Sequence, residues 1–128
     1  MIHDVEHAEG LANAVIGASI EVHREVGAGL LETAYEECLS HELTLRGITH
    51  QRQVDVAINY KGHTIERAYR IDLLIGNSLI VELKAVDELL PVHTAQLLTY
   101  LRFQNKGLGL LLNFKAKTLK EGIKRVVL

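Results

Sequence analysis

Several residue types that cross-link or anchor proteins are scarce in this sequence. Its 128 residues include one cysteine, Cys38, and one proline, Pro91. A single cysteine excludes an internal disulfide and a four-cysteine zinc or iron–sulfur site within one chain, and it favours a reducing compartment. No apolar run approaches the roughly 20 residues that a membrane helix requires. Residues 1–6 lack the basic-then-apolar order of a signal peptide, so we expect a cytoplasmic protein without a membrane partner.

The rest of the composition is typical of a globular domain. Hydrophobic residues make up 48% of the chain and charged residues 23%, which argues against wholesale disorder. A chain of this length can bury a hydrophobic core without disulfides or a structural metal. We therefore expect residues 1–128 to form a single domain.

The net charge of −2 conceals an uneven distribution. Residues 1–64 contain 4 Lys or Arg against 10 Asp or Glu, whereas residues 65–128 contain 10 against 6. The basic excess lies late in the chain and includes Lys124 and Arg125. Such a cluster can follow a phosphate backbone, but by itself an ordinary solvated surface is the simpler interpretation. The overall charge argues against a protein that coats nucleic acid without specificity.

The hydrophobic pattern predicts an α/β fold. Apolar residues recur with helical spacing in three segments, and apolar segments of strand length lie between and after them. The predicted order is helices at 4–25 and 31–45, strands at 54–60, 64–75 and 79–86, a helix at 92–104, a strand at 108–114 and an edge strand at 123–127. Three consecutive strands form an antiparallel meander, and the third helix crosses over to a further strand. The prediction is a mixed sheet of four or five strands flanked by helices.

Two of the predicted strands carry charged residues within apolar sequence. Asp72 lies in the second strand, and Glu82 and Lys84 lie in the third, where they share one face because side chains alternate. A turn of three residues between these strands places Asp72 opposite Glu82, whereas a turn of two places the acids on opposite faces. With the three-residue turn, the residues on the other face are all apolar: Ile71, Leu73, Ile75, Leu79, Val81 and Leu83.

Two carboxylates that lie this close together repel each other unless a cation is near them. Lys84 can be that cation, which gives a structural ion pair. A hard divalent ion such as Mg²⁺ can serve equally well, because it prefers oxygen ligands and retains several waters. A metal held there can activate a water and neutralise charge on a phosphate. The residues alone leave both interpretations open.

Further segments resemble the GxxExxY family, which is placed within the PD-(D/E)XK nuclease-like superfamily. The resemblance runs in order through nearly the whole chain, and the motifs are specific together although each is weak alone. They are Gly29-Leu30-Leu31-Glu32-Thr33-Ala34-Tyr35, Tyr69–Asp72, Val81–Ala85, Pro91–Leu101, Gly109–Phe114 and Gly122–Arg125. The resemblance implies a restriction-endonuclease-like core.

The resemblance also implies roles for the charged residues of the two strands. Asp72 and Glu82 resemble the carboxylates that bind the metal, and the backbone carbonyl of Leu83 is implied as a further ligand. Lys84 resembles the catalytic lysine. The same resemblance implies Mg²⁺ or Mn²⁺ as the cofactor.

The helices contribute further candidates. Glu32 resembles the helix glutamate that supports the metal, with Glu36, one turn later, as an alternative and a solvated helix face as the plainer interpretation. Gln96 and Tyr100 resemble the Gln-x-x-x-Tyr motif that lines the site of some RecB-like nucleases, although their spacing shows only a shared helix face. His93 lies on that face as a candidate substrate contact, and a structural histidine is its simpler interpretation.

Together these residues predict a metal-dependent nuclease that hydrolyses phosphodiester bonds in DNA or RNA, with Lys124 and Arg125 as candidate phosphate contacts. One alternative is a non-catalytic nucleic-acid-binding or accessory module that retains the nuclease fold. Another is a structural protein in which the acids and lysine form an ion network. Because 128 residues leave little room for a recognition domain, a homodimer or a partner protein can supply specificity.

Overall fold

The structure, a computed structural model, describes residues 5–128 and contains the elements in the predicted order. Residue 4, where the first helix was predicted to begin, and the first residues of the chain lie outside this range. The elements are α1 (Val5–Val26), α2 (Glu32–Leu45), β1 (His50–Tyr60), β2 (His63–Ile75), β3 (Leu79–Lys84), α3 (Pro91–Gln104), β4 (Leu108–Asn113), a turn of 3-10 helix (Leu119–Gly122) and β5 (Ile123–Val127).

The five strands form one mixed sheet in the order β1-β2-β3-β4-β5. All neighbouring strands are antiparallel except β3 and β4, which α3 connects as a parallel pair. The predicted meander, crossover helix and edge strand are therefore confirmed. No helix within residues 5–128 is long and apolar enough to cross a membrane.

Helices cover both faces of the sheet, so the strands contribute to two hydrophobic clusters. The first, which we call the α1–α2 core, comprises Ala8, Ala12, Val15, Ala18, Val22, Tyr35, Leu39, Leu43, Leu73, Ile75, Leu79, Val81, Leu83, Leu108, Leu110, Leu112, Phe114 and Leu119. The second, the α3 core, comprises Val56, Ile71, Leu74, Ile80, Leu97, Leu101, Leu111 and Val126. Strands β3 and β4 are buried on both faces, which explains why their sequences are almost continuously apolar.

Tyr35 holds the loop before α2 against the sheet. Its hydroxyl donates to the Gly27 carbonyl at 2.5 Å and accepts from the Leu30 amide at 3.1 Å. Its buried ring stacks on Phe114, with ring centroids 4.6 Å apart. These contacts fix the start of α2, and with it the position of the acidic residues on that helix.

Two strand ends differ from the prediction by two or more residues, and the start of β2 and the end of β4 differ by one. β1 begins at His50 rather than residue 54, because pairing with β2 extends through polar residues that lack an alternating pattern. β3 ends at Lys84 rather than residue 86, because the backbone of Val86 forms its hydrogen bonds with the buried side chain of Asn113 and not with a neighbouring strand. The Val86 amide donates to Asn113 Oδ1 at 3.1 Å, and Asn113 Nδ2 donates to the Val86 carbonyl at 2.9 Å.

The close packing beside β4 predicts opposite effects for two glycine-to-alanine substitutions. A Cβ atom at Gly122 would collide with the backbone carbonyl of Asn113, whereas one at Gly10, exposed on α1, would meet nothing within 4 Å. We expect Gly122→Ala to lower the free energy of unfolding by about 1–3 kcal/mol and Gly10→Ala to raise it by roughly 0.5–1 kcal/mol. Urea denaturation of both variants measures this, and equal effects would contradict the described packing.

Candidate functional site

The turn between β2 and β3 has three residues, as the sequence interpretation of the site requires. Ile75 pairs with Leu79 across residues 76–78. Continued along both strands, this register places Asp72 opposite Glu82. The two acids therefore come from neighbouring strands at the same level of the sheet.

Asp72 and Glu82 meet where the backbone pairing of β2 with β3 has ended. The last paired residues are Leu73 and Val81. Beyond them, the Asp72 amide donates to Glu82 Oε2 at 2.8 Å, and the Leu83 amide donates to Asp72 Oδ2 at 2.9 Å. Each carboxylate thus accepts a hydrogen bond from the backbone of the opposite strand, in place of a carbonyl.

The predicted membership of the apolar face was wrong for one residue, Ile71. Five of its members lie in the α1–α2 core, but Ile71 packs in the α3 core on the other face. The regular alternation of β2 is interrupted at Asp72. The residue facing Asp72 on β1 is Gln53, which has a left-handed φ of 50°. This left-handed residue thus lies beside the point at which Ile71 and Leu73 pack on different faces.

Burial dominates the electrostatics of the acidic pair. The Glu82 residue is 6% exposed; its burial, and next the negative charge of Asp72, raise the pKa of Glu82 to about 8. Burial also raises the pKa of Asp72, and the charge of Glu36 adds to this effect. Without a metal ion, the pair therefore favours retention of a proton near neutral pH.

Lys84 lies at the end of β3 next to the acidic pair. Its positive charge opposes the rise in pKa of both Asp72 and Glu82, which places the ammonium within electrostatic range of them. No ion pair joins Lys84 to either carboxylate in the described structure. The tight structural ion pair, one of the two interpretations from sequence, is not formed.

A glutamine connects the acidic pair to helix α2. Gln53 Nε2 donates to Glu36 Oε1 at 2.5 Å and to Asp72 Oδ1 at 3.3 Å. Glu36 is buried and also accepts from Arg52 Nε at 3.0 Å. The helix acid that the structure brings to Asp72 is therefore Glu36, which sequence reasoning considered as the alternative to Glu32.

Glu32 lies apart from this network. It is exposed in the first turn of α2, where it lines a shallow pocket together with Ala85 and Lys115. Ala85 directly follows Lys84 in sequence, so the pocket borders the end of β3 on which the lysine lies.

The three candidates on α3 have different environments. Tyr100 is partly buried; its pKa is raised first by burial and then by the charges of Glu82 and Asp72, which places its phenol within electrostatic range of the acidic pair. Gln96 is exposed one turn earlier. His93 Nδ1 accepts from the Leu90 amide at 2.9 Å and so caps the helix, as expected of a structural histidine.

Lys124 and Arg125 lie on opposite faces of β5. Lys124 shares a face with Val126, which belongs to the α3 core, and the sheet register places it two strands from Glu82, about 10 Å. Arg125 is directed to the opposite face, where it forms an ion pair with Glu9 of α1. Only Lys124 is on the side of the sheet that carries the acidic side chain of β3.

Sequence reasoning did not identify Gln53, Arg52 or Asn113. Gln53 could have been found from its register, since it lies opposite Asp72 in the β1–β2 hairpin, but β1 was predicted to begin after it. Arg52 lies in the same unpredicted segment. Asn113 carried one signal, a polar residue at the end of an apolar strand.

The oxygen atoms of the site fit a hard divalent ion. Residues 5–128 contain no group of three or more His, Cys, Asp or Glu at metal-binding spacing, but Mg²⁺ commonly uses one or two carboxylates and completes its shell with water. The Leu83 amide is directed to β2, and the amide and carbonyl of an extended residue lie on the same strand edge. The Leu83 carbonyl therefore faces the acidic pair as a third oxygen.

A five-stranded mixed sheet flanked by three helices, with an acidic pair and a lysine where two strands stop pairing, is consistent with the restriction-endonuclease-like fold class. A family model described as the PD-(D/E)XK nuclease superfamily matches residues 9–126. The chain belongs to this superfamily, whose nucleases generally use divalent metals.

One solved structure, titled "Crystal structure of SSO0001", is similar with a TM-score of 0.51 and 20% sequence identity. The match covers 88% of this chain and 65% of that chain, so this chain spans less than two thirds of its length. At this identity the likeness supports the fold alone. A search of curated proteins finds no match.

The raised pKa of Glu82 predicts an unusual pH dependence of stability in metal-free protein. Because the folded state holds the Glu82 proton up to about pH 8 and an unfolded glutamate releases it near 4.3, stability is greatest below the lower value and falls as pH rises between them. The contribution lost is about 3–5 kcal/mol. Glu82→Gln keeps an acceptor for the Asp72 amide and should lack this fall.

Urea denaturation in EDTA at a series of pH values tests this expectation. Wild type and Glu82→Gln should be similar near pH 5 and diverge in favour of the variant by pH 8. Glu88→Gln, at an exposed position, controls for the loss of one carboxylate elsewhere. A constant difference between wild type and Glu82→Gln across the range would show that Glu82 is not the titrating group.

Proposed function

We propose that this chain is a divalent-metal-dependent nuclease that hydrolyses phosphodiester bonds in DNA or RNA. The observation that carries the proposal is the end of β2–β3 pairing, where Asp72 and Glu82 come together beside Lys84. Pairs of carboxylates whose burial raises their pKa are costly for folding, and such groups cluster at functional sites. The superfamily match supports nucleic acid as the substrate class.

Mg²⁺ or Mn²⁺ would be held by Asp72, Glu82 and the carbonyl of Leu83. When bound, the metal would supply charge neutralisation for the phosphate and lower the pKa of a water. Metal binding requires both carboxylates to be ionised, so the proton that the metal-free pair retains would have to leave. The buried position of Glu82 limits its contact with competing water and counterions.

Lys84 would provide the nearby positive charge that the reaction needs. It is partly exposed, so its ammonium can reach a phosphate oxygen or orient the attacking water without first breaking an ion pair. Within residues 5–128, no carboxylate lies within ion-pair distance of the Lys84 ammonium, so its positive charge is available to a phosphate.

Residues outside the metal ligands would position the site. Gln53 ties Asp72 to Glu36 and so holds the Asp72 carboxylate in one orientation. Glu32, at the neighbouring pocket, would support a second ion or an ordered water. Gln96 and Tyr100 would line the α3 side of the site.

The phosphate backbone would pass along the face of the sheet that carries α3. Lys124 lies on that face, and His93 and Gln96 are on the helix that covers it. Arg125 would contribute only if a substrate reached the opposite face, because its guanidinium pairs with Glu9.

Several finer assignments belong to the same proposal. The match of Gly29, Glu32 and Tyr35 to the motif supports membership in the GxxExxY family, and the anchoring role of Tyr35 gives that motif a physical reason. We propose a single domain over residues 1–128 that acts in the cytoplasm, with a second copy or a partner protein supplying specificity.

Two substitutions test the roles of the acids and the lysine separately. Asp72→Asn should abolish uptake of Mn²⁺ in calorimetry and lower cleavage of single- and double-stranded DNA and RNA by at least about 100-fold. Lys84→Met should keep Mn²⁺ uptake but lose cleavage to a similar extent, because it removes charge near the phosphate and no metal ligand. Lys61→Met, at the tip of the β1–β2 hairpin, is the control lysine substitution.

The outcomes discriminate among the three functions. Cleavage that survives both substitutions would refute the proposed mechanism. A non-catalytic binding module would instead bind nucleic acid in EDTA, retain that affinity in Asp72→Asn and cleave nothing. A purely structural ion network would take up no Mn²⁺ in the wild-type protein.

A further inference from the structure

Three aromatic rings form a surface cluster beside α3, which we call the aromatic platform: Tyr69, Tyr100 and Phe103. Tyr69 and Tyr100 stack almost in parallel, with ring centroids 4.3 Å apart and planes inclined by 2°. Phe103 lies against Tyr69 at 6.4 Å between centroids and an inclination of 46°. The sequence has six Tyr and Phe residues in total, so half of them meet here.

The platform adjoins the candidate metal site. Tyr69 precedes Asp72 by three residues on β2, which corresponds to about 10 Å along an extended strand. Tyr100 extends from the helix above, close enough for the charges of Glu82 and Asp72 to contribute to the rise in its pKa. The nucleotide next to a phosphodiester held at the acidic pair would therefore lie near these rings.

Tyr69 and Tyr100 are partly buried against the α3 core, whereas Phe103 is exposed. The Tyr69 hydroxyl donates to the Tyr100 carbonyl at 3.4 Å, which restrains the stacked pair. Phe103 remains 46% exposed and is absent from both hydrophobic cores. A single exposed phenylalanine is ordinary on a protein surface, but here it adjoins a stacked pair next to the candidate metal site, and nearly half of it is open to solvent.

We propose that the aromatic platform stacks an unpaired base of the substrate strand, so that the preferred substrate is single-stranded or frayed nucleic acid. Bases inside a duplex are already stacked on both faces, so a base must be unpaired and splayed out to stack on protein. Stacking on aromatic rings tolerates every base, which suits a small chain without a recognition domain. The inference rests on the proposed function because that function places the phosphate at the acidic pair. The stacking itself does not require cleavage.

Binding measurements without catalysis test the platform. The parent protein is the full chain carrying Asp72→Asn, in EDTA, because this substitution removes a negative charge that would repel phosphate when no metal is present. Fluorescence anisotropy gives its affinity for a short single-stranded oligonucleotide and for the blunt duplex of the same sequence. Added Phe103→Ala should weaken single-strand binding by about 5- to 150-fold and leave duplex binding unchanged.

Two further variants and a fluorescent base separate stacking from general effects. Phe103→Trp should restore single-strand affinity, because it restores an aromatic face. Val92→Ala removes another exposed apolar side chain, 58% exposed on the same helix, and should have no effect. A 2-aminopurine base in the single strand should lose fluorescence on binding to the parent and not to Phe103→Ala, which reports ring contact directly.

The platform is overturned if the parent does not bind the single strand, or if Phe103→Ala weakens single-strand and duplex binding equally or not at all. The proposed nuclease activity fails separately. If the wild-type protein with Mn²⁺ cleaves nothing while the binding pattern holds, the platform stands as a single-strand binding site. If it cleaves and the binding pattern is absent, the nuclease stands and the platform is wrong.

Discussion

The site depends on one change at the end of the β2–β3 hairpin. There, backbone amides donate their hydrogen bonds to side-chain carboxylates instead of to backbone carbonyls of the opposite strand. Asp72 and Glu82 accept the amide hydrogens that a carbonyl on the opposite strand would otherwise take. This arrangement satisfies the backbone and leaves two negative charges side by side in a partly buried gap. Burial is the main reason that the pKa values of both acids are raised, and a divalent cation or a proton can relieve the cost of burying their charges.

The two hydrophobic cores make this gap rigid. Strand β3 is buried on both faces, so its position cannot adjust without loss of packing against either α1–α2 or α3. Asn113 ends the strand by binding the backbone of Val86, and Tyr35 fixes the start of α2. The acids of β2, β3 and α2 therefore face one another from elements that packing holds in place, while Lys84 at the strand end keeps access to solvent.

Much of this arrangement was predictable from short-range patterns. Helical and alternating periods and one continuous apolar run located the three helices and most of the strands, because burial on one or two faces of an element imposes its pattern on the sequence. The turn of three residues was enough to place Asp72 opposite Glu82, since strand pairing propagates register from the turn. The charges embedded in apolar strands marked the site for the same reason: a buried carboxylate needs a partner.

What only the tertiary structure decided are the contacts between elements distant in sequence. The choice of Glu36 over Glu32 beside Asp72 depends on how α2 docks and on Gln53, which bonds across 17 and 19 residues of chain. Three further features arise in the same way. Ile71 packs in the α3 core, Arg125 pairs with Glu9, and Tyr69 stacks on Tyr100. The sequence by itself determined the type and order of the elements and the register of the β2–β3 hairpin, because those depend on neighbours along the chain. The angle and depth at which elements pack depend on all side chains at once, so a local sequence pattern does not predict them.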